Sequence, residues 1–174
     1  MADQTNGGGR RDALKTLAAI GGAVGCASLA VPVTRYVLAP AEGGDAGGRW
    51  IKTVPVDSLS EGEPKRVALI ADRRDAWTLE KQVELGAVWL EKRRDAVLAW
   101  SVVCPHLGCA VGKLQTGPGF YCPCHDSSFD VDGRRLTGPS PRALDALSTR
   151  VEGGFVMVEF QRFRQGTPEK EPVG

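Results

Sequence analysis

Apolar positions along the chain follow two different patterns. From Leu17 to Val33 no residue carries a charge, and the run has no polar face. As a helix it would span about 26 Å, or about 33 Å if continued to Leu38, enough for a hydrocarbon core of about 30 Å. Beyond residue 50 the pattern changes to short β-favouring runs at 50–56, 65–70, 87–90, 96–103 and 154–160. Turn residues separate them: Gly62-Glu63-Pro64, Arg93-Arg94-Asp95, Asp132-Gly133 and Glu152-Gly153-Gly154. This alternation predicts an all-β head, an antiparallel sandwich or barrel of roughly eight to ten strands, behind one N-terminal transmembrane helix. Residues 57–62 predict a single helical turn, and residues 141–147 a short irregular stretch. The polar tail after Phe160 predicts an extended segment over the surface. Between helix and head, residues 41–48 read Ala-Glu-Gly-Gly-Asp-Ala-Gly-Gly, a flexible linker composition with no apolar face.

The length of 174 residues leaves room for one core and an appendage. A formal net charge of +1 gives no electrostatic case for nucleic acid. Arg10-Arg11 ahead of a mildly apolar Gly/Ala-rich run resembles a twin-arginine export signal, with Gly9 where Ser or Thr is usual. A plain signal anchor with basic flanking charge is the alternative. Both place the N-terminus in the cytoplasm and the head outside, since the positive residues precede the span. The expected organisation is a cytoplasmic n-region at 1–16, an anchor at 17–39, a hinge at 40–49, a head at 50–161 and a tail at 162–174. An uncleaved anchor is favoured by the length of the run, although Ala27-Ser28-Leu29-Ala30 leaves cleavage open. Cys26 reads as a small apolar residue facing lipid or a partner helix. The four tryptophans, Trp50, Trp77, Trp89 and Trp100, read as core or interface aromatics. The charge runs Lys92-Arg93-Arg94-Asp95 and Arg134-Arg135 read as solvated faces.

Both histidines and four of the five cysteines fall in two short boxes, Cys104-Pro105-His106-Leu107-Gly108-Cys109 and Cys122-Pro123-Cys124-His125. Thiolate and imidazole bind soft and borderline metals. Two readings compete. Cys104, His106, Cys122 and His125 could hold one zinc tetrahedrally, or a two-iron, two-sulfide cluster with thiolates on one iron and imidazoles on the other. The zinc reading gives Cys109 and Cys124 no task.

The pattern Cys-x-His-x-Gly-Cys followed by Cys-x-Cys-His resembles the Rieske iron–sulfur proteins. Gly138-Pro139-Ser140-Pro141 falls where that family has a Gly-Pro-x-Pro loop covering the cluster, so the cluster-binding loops would occupy residues 104–141. The resemblance implies Cys104 and Cys122 as thiolate ligands of a [2Fe-2S] cluster and His106 and His125 as imidazole ligands. It implies a Cys109–Cys124 disulfide, worth about 3 kcal/mol in the chain-entropy model for a loop of roughly fifteen residues, and an oxidising compartment to preserve it. Leu107 would shield the cluster, Pro139 would cover it, and Ser127 would donate its hydroxyl to a bridging sulfide.

Among Rieske proteins, the disulfide type with an N-terminal anchor resembles the Rieske subunit of bc/b6f-type quinol:cytochrome c oxidoreductases. That implies a bacterial inner-membrane electron-transfer subunit in a multi-subunit complex, dimeric or part of a supercomplex. Its partners would be quinol, a cytochrome b-type subunit and a c-type cytochrome. The small subunit of an arsenite oxidase is the alternative. Quinol would be oxidised at an exposed ligand imidazole, His125, with His106 beside it. Higher-potential members carry tyrosine where this chain has Phe129, and glycine where it has Asp126. Both departures predict a lower potential, suited to menaquinol.

Overall fold

The computed structural model describes residues 7–42, 48–74 and 78–173. Two compact units divide near residue 44. Trp77 and residues 43–47, half of the expected hinge, lie outside the described residues.

The first unit is helix α1, Gly7–Glu42. Its segment Gly9–Leu38 is long and apolar enough to cross a membrane. Leu14, Leu17, Ile20, Val24, Leu29, Val31, Val33 and Val37 are all exposed and lie around the helix, not in one stripe. A helix that is apolar all round suits lipid better than water. It begins earlier than the anchor expected from sequence, because Arg10, Arg11, Ala13, Leu14 and Lys15 are good helix formers. Lys15 also pairs with Asp12 one turn away at 3.4 Å. The helix ends later than expected too, taking in Ala41 and Glu42 of the linker stretch.

The second unit is the β head. In chain order its strands are β1 (Arg49–Pro55), β2 (Lys65–Arg74), β3 (Leu79–Arg93), β4 (Ala96–Ser101), β5 (Gly112–Lys113), β6 (Phe120–Cys122), β7 (Ser127–Phe129) and β8 (Arg135–Thr137). They continue as β9 (Ala146–Leu147), β10 (Thr149–Glu152), β11 (Phe155–Phe160), β12 (Arg162–Phe163) and β13 (Pro172–Val173). Every strand pairing is antiparallel. The strand orders are β1-β11-β10, β2-β3-β4-β9, β5-β6-β7-β8 and the pair β12-β13. The expected helical turn is a 3-10 turn over Val56–Ser58.

The β3–β4 hairpin is the wall between two cores. Val88 and Leu90 of β3, with Val97 and Ala99 of β4, face Ile51, Leu69, Val156 and Val158 in the first core. The alternate residues Ala87, Trp89, Trp100 and Val102 face Phe120, Phe129, Val111 and the cysteine loops in the second. With both faces covered, these strands read as continuous apolar runs, which is why the sequence located them. The polar first half of β3 escaped that reading. It pairs with β2 through two register shifts, and Arg73 bridges Glu80 at 2.5 Å.

Two sequence expectations are corrected. The tail is not simply extended over the surface. Its strands β12 and β13 pair with each other, and Phe163 enters the first core. Nor is Arg93 a solvated charge: it is two-thirds buried and reaches Glu91 and Asp132, each at 2.5 Å, and the Val131 carbonyl at 3.0 Å. Glu91 is itself buried, so the pairing compensates its charge. Asp132 is held below its ordinary pKa chiefly by the hydrogen bond from Arg93.

Trp89 Nε1 donates to the Val111 carbonyl at 3.0 Å inside the second core, just where the first cysteine loop returns. Trp89→Phe is expected to destabilise the head by about 1–3 kcal/mol, the cost of a buried carbonyl left unpaired. Denaturant unfolding of the detergent-solubilised chain checks this; an unchanged midpoint would mean that water replaces the indole.

Candidate metal centre

Three loops at one end of the second core form the site. The first leaves β4 and closes on itself. Cys104 N–H donates to the Cys109 carbonyl at 2.8 Å, Gly108 N–H to the Cys104 carbonyl at 3.0 Å, and Val111 N–H to the Val102 carbonyl at 2.7 Å. Gly108 holds φ +81, a left-handed turn that glycine adopts without a Cβ penalty. The backbone N–H groups of His106 and Leu107 are directed at the Cys104 sulfur. The second loop is the turn of the β6–β7 hairpin, in which Cys122 stands opposite Ser127. The third follows β8. Gly138, at φ +85, passes so close to the second loop that a Cβ there would sit 2.4 Å from Ser127 Cα.

These loops bring the expected residues together in three pairs. Cys104 and Cys122 lie side by side and are almost fully buried. Burial, with the adjacent Cys122 thiol adding to it, pushes the Cys104 thiol up to about 11 against the two backbone N–H groups. The His106 and His125 rings meet edge to face, with centroids 4.7 Å apart. His106 is half-buried and His125 exposed. Cys109 and Cys124 are joined in a disulfide across 15 residues, tying the first loop to the second as the resemblance implies.

The remaining expected residues are also placed. Ser127 and Phe129 are fully buried, and Pro139 is exposed. Ser127 Oγ accepts the Ser140 N–H at 3.1 Å, so its own proton stays available for another acceptor. Leu107 projects outward, 64% exposed.

The sulfurs of Cys109, Cys122 and Cys124 lie within 4.8 Å of one another, yet this trio is not a ligand set. Two of its sulfurs are already bonded to each other, which leaves Cys104 and Cys122 as the thiols able to bind metal. A buried thiol pair with backbone N–H groups at one sulfur, on loops that also carry two imidazoles, fits a two-iron, two-sulfide group. Iron would displace the thiol protons, which burial otherwise makes costly to lose.

Sequence reasoning missed the partner of Asp126. This residue follows His125 in a left-handed conformation (φ +57), and its carboxylate accepts a hydrogen bond from the Tyr121 hydroxyl. The same bond holds the Tyr121 hydroxyl above its usual pKa. Asp126 therefore does not stand as a free negative charge. Arg135 is likewise more than a solvated residue, because it donates to the Gly138 carbonyl at 3.0 Å and steadies the third loop. Spacing gave no signal for either contact.

Gly138→Ala should force the third loop off the second. It adds a left-handed penalty of about 1–2 kcal/mol to the steric overlap. The expected outcome is protein isolated with substoichiometric iron and acid-labile sulfide; full occupancy would show that the loop can shift without losing its cover.

A family model described as the Rieske [2Fe-2S] domain matches residues 49–149. The menaquinol:cytochrome c reductase iron-sulfur subunit of Bacillus subtilis is 32% identical over 145 residues, covering 81% of this chain and 84% of that protein. The like-named subunit of Geobacillus thermodenitrificans is 31% identical, covering 88% and 92%. The cytochrome b6-f complex iron-sulfur subunit of Chlorobaculum thiosulfatiphilum is 31% identical, covering 79% and 67%. The family match decides for a [2Fe-2S] cluster over zinc, the fold is the mostly-β Rieske fold with one long apolar N-terminal helix, and the chain belongs to the Rieske [2Fe-2S] family.

Proposed function

We propose that this chain is the membrane-anchored Rieske iron–sulfur subunit of a bc-type quinol:cytochrome c oxidoreductase. It would accept single electrons from a quinol, with menaquinol the favoured donor, and pass them to a c-type cytochrome. The observation that carries the reading is the site's composition: two buried thiols and an exposed imidazole on loops tied by a disulfide. The names of the Bacillus and Geobacillus relatives and the apolar helix support it.

A Rieske cluster supplies a one-electron acceptor whose potential imidazole ligation raises to roughly −150 to +300 mV. Cys104 and Cys122 would bind the inner iron as thiolates, and His106 and His125 the outer iron. With one ring nitrogen on iron, exposed His125 would use the other, once it has lost its proton, to accept a hydrogen bond and then a proton from the quinol hydroxyl. Ser127, its oxygen held by the Ser140 N–H, would have its hydroxyl proton free for a cluster sulfide. Leu107, exposed beside the histidines, offers the quinol site of a cytochrome b subunit an apolar contact. Helix α1 would cross the membrane with its N-terminus in the cytoplasm and the head outside. The stretch around residues 40–49 would let the head move between donor and acceptor.

Solubilised from its native membrane, the chain should co-purify with b- and c-type haem; recovery with a molybdenum protein instead would favour the arsenite oxidase alternative.

Phe129 shares its buried core with Cys104 and Cys122 and carries no hydroxyl. Phe129→Tyr supplies a donor there. If that bond is worth about 0.5–1.5 kcal/mol more to the reduced form, the one-electron midpoint rises by about 20–65 mV. Redox titration followed by electron paramagnetic resonance reads it, and an unmoved midpoint removes the case for menaquinol built on this residue.

A rigid helical insertion in the stretch 43–47 should slow quinol:cytochrome c turnover at least tenfold with the cluster spectrum unchanged. Undiminished turnover would rule out a moving head.

A further inference from the structure

The segment after Phe160 lies past the family match, which ends at residue 149. In the structure it runs beneath the first cluster loop. Gly166 N–H donates at 2.8 Å to the carbonyl of Pro105, the residue between Cys104 and His106. Pro105 is fully buried, so its carbonyl needs a partner from the protein, and the tail provides one. Gln165 lies 3.9 Å from where a side chain on Gly108 would begin, and a Cβ on Gly166 would stand 3.8 Å from the His106 carbonyl. The tail thus bonds to Pro105 and runs close to His106 and Gly108 of the first box.

A second connection runs through Arg142, just past the Gly-Pro loop. Its guanidinium is nine-tenths buried and forks onto both oxygens of Asp145 at 2.9 Å. The same group donates to the carbonyls of Thr167 at 2.6 Å and Arg164 at 2.8 Å. The Arg142 carbonyl accepts the Ser140 hydroxyl at 2.8 Å, and Ser140 N–H donates to Ser127 two residues beyond His125. One planar cation with five donors can serve a carboxylate and two carbonyls together, which a lysine cannot.

A tail that only covered a sheet edge would need Phe163 and little more. The contacts to the cluster loops come instead from residues 164–167, after that anchor. We propose that residues 164–167 and Arg142 form a brace that fixes the first and third cluster loops and so sets the geometry of the histidine side of the cluster. Arg142 and Gly166 are positioning residues in this brace. The proposal rests on the [2Fe-2S] cofactor and is independent of the quinol and cytochrome assigned above.

The test uses the full chain in its native membrane. It is compared with a chain ending at Phe163, with Arg142→Gln and with Arg142→Lys. The readouts are the resonance line shape and midpoint of the reduced cluster and its half-life under an iron chelator. The shortened chain and Arg142→Gln should each shorten the half-life about tenfold, the usual scale for removing an outer support of a metal site, and should broaden or shift the resonance. Arg142→Lys, which keeps the charge beside Asp145, should fall between them and the parent. Wild-type line shape, midpoint and half-life in variants with the parent's circular dichroism would overturn the proposal. Should the shortened chain or Arg142→Gln fail to accumulate, Arg142→Lys decides: a parental spectrum and half-life overturn the brace, and altered ones support it. A parent chain without a Rieske resonance would instead overturn the cofactor assignment, a separate result.

Discussion

Two thiols buried side by side are the constraint around which this head is organised. Cys104 and Cys122 close the second core, where losing a proton to water-poor surroundings is costly and burial holds Cys104 well above its ordinary range. Bound iron reverses that cost, so the pocket gains stability from metal and has little reason to exist without it. What surrounds the pair follows from keeping it dry and closed. The β3–β4 wall supports it from below, the disulfide keeps the two loops from parting, and Gly138 lets a third strand of backbone press against the second loop.

The histidines meet a different demand. The proposed proton-coupled electron transfer would need an imidazole that reaches water or substrate, and His125 is exposed while His106 is half-buried against it. Exposed ligands on an unsupported loop would be poorly positioned. Rigidity therefore has to come from behind, through backbone hydrogen bonds within the first loop and polar contacts that converge on Pro105, Ser127 and Ser140. Stability near the thiols and accessibility at the histidines are compatible because the same loops bury Cys104 and Cys122 while leaving His125 exposed.

How much of this the sequence revealed depended on the range of each interaction. Metal ligation restricts residue type and spacing locally, so Cys104, His106, Cys122 and His125 stood out in a chain with no other histidine. The runs at 87–90 and 96–103 were legible because both faces of their strands are buried. The first half of β3 was not, since its charged residues face solvent and pair only with neighbours across the sheet. Arg93 with Asp132, Tyr121 with Asp126 and Arg142 with Thr167 are joined by folding, and none leaves a local period in the sequence. The tail looked featureless for the same reason: Phe163 is one apolar residue among polar ones, and its partners lie elsewhere in the chain.

The same distinction bears on how the potential is set. From sequence alone, Phe129 and Asp126 both argue for a lower value, one by withholding a hydroxyl donor and the other by adding negative charge. The two do not carry equal weight in the folded chain. Asp126 is at the surface, where water screens it, and its carboxylate is engaged by the Tyr121 hydroxyl. Phe129 is fully buried in the core that holds both thiols, where one absent donor acts in a low dielectric with no water to replace it. A buried hydrogen bond outweighs a solvated charge, so the proposed low potential would depend on Phe129, while the Asp126 carboxylate is engaged within the turn that follows His125.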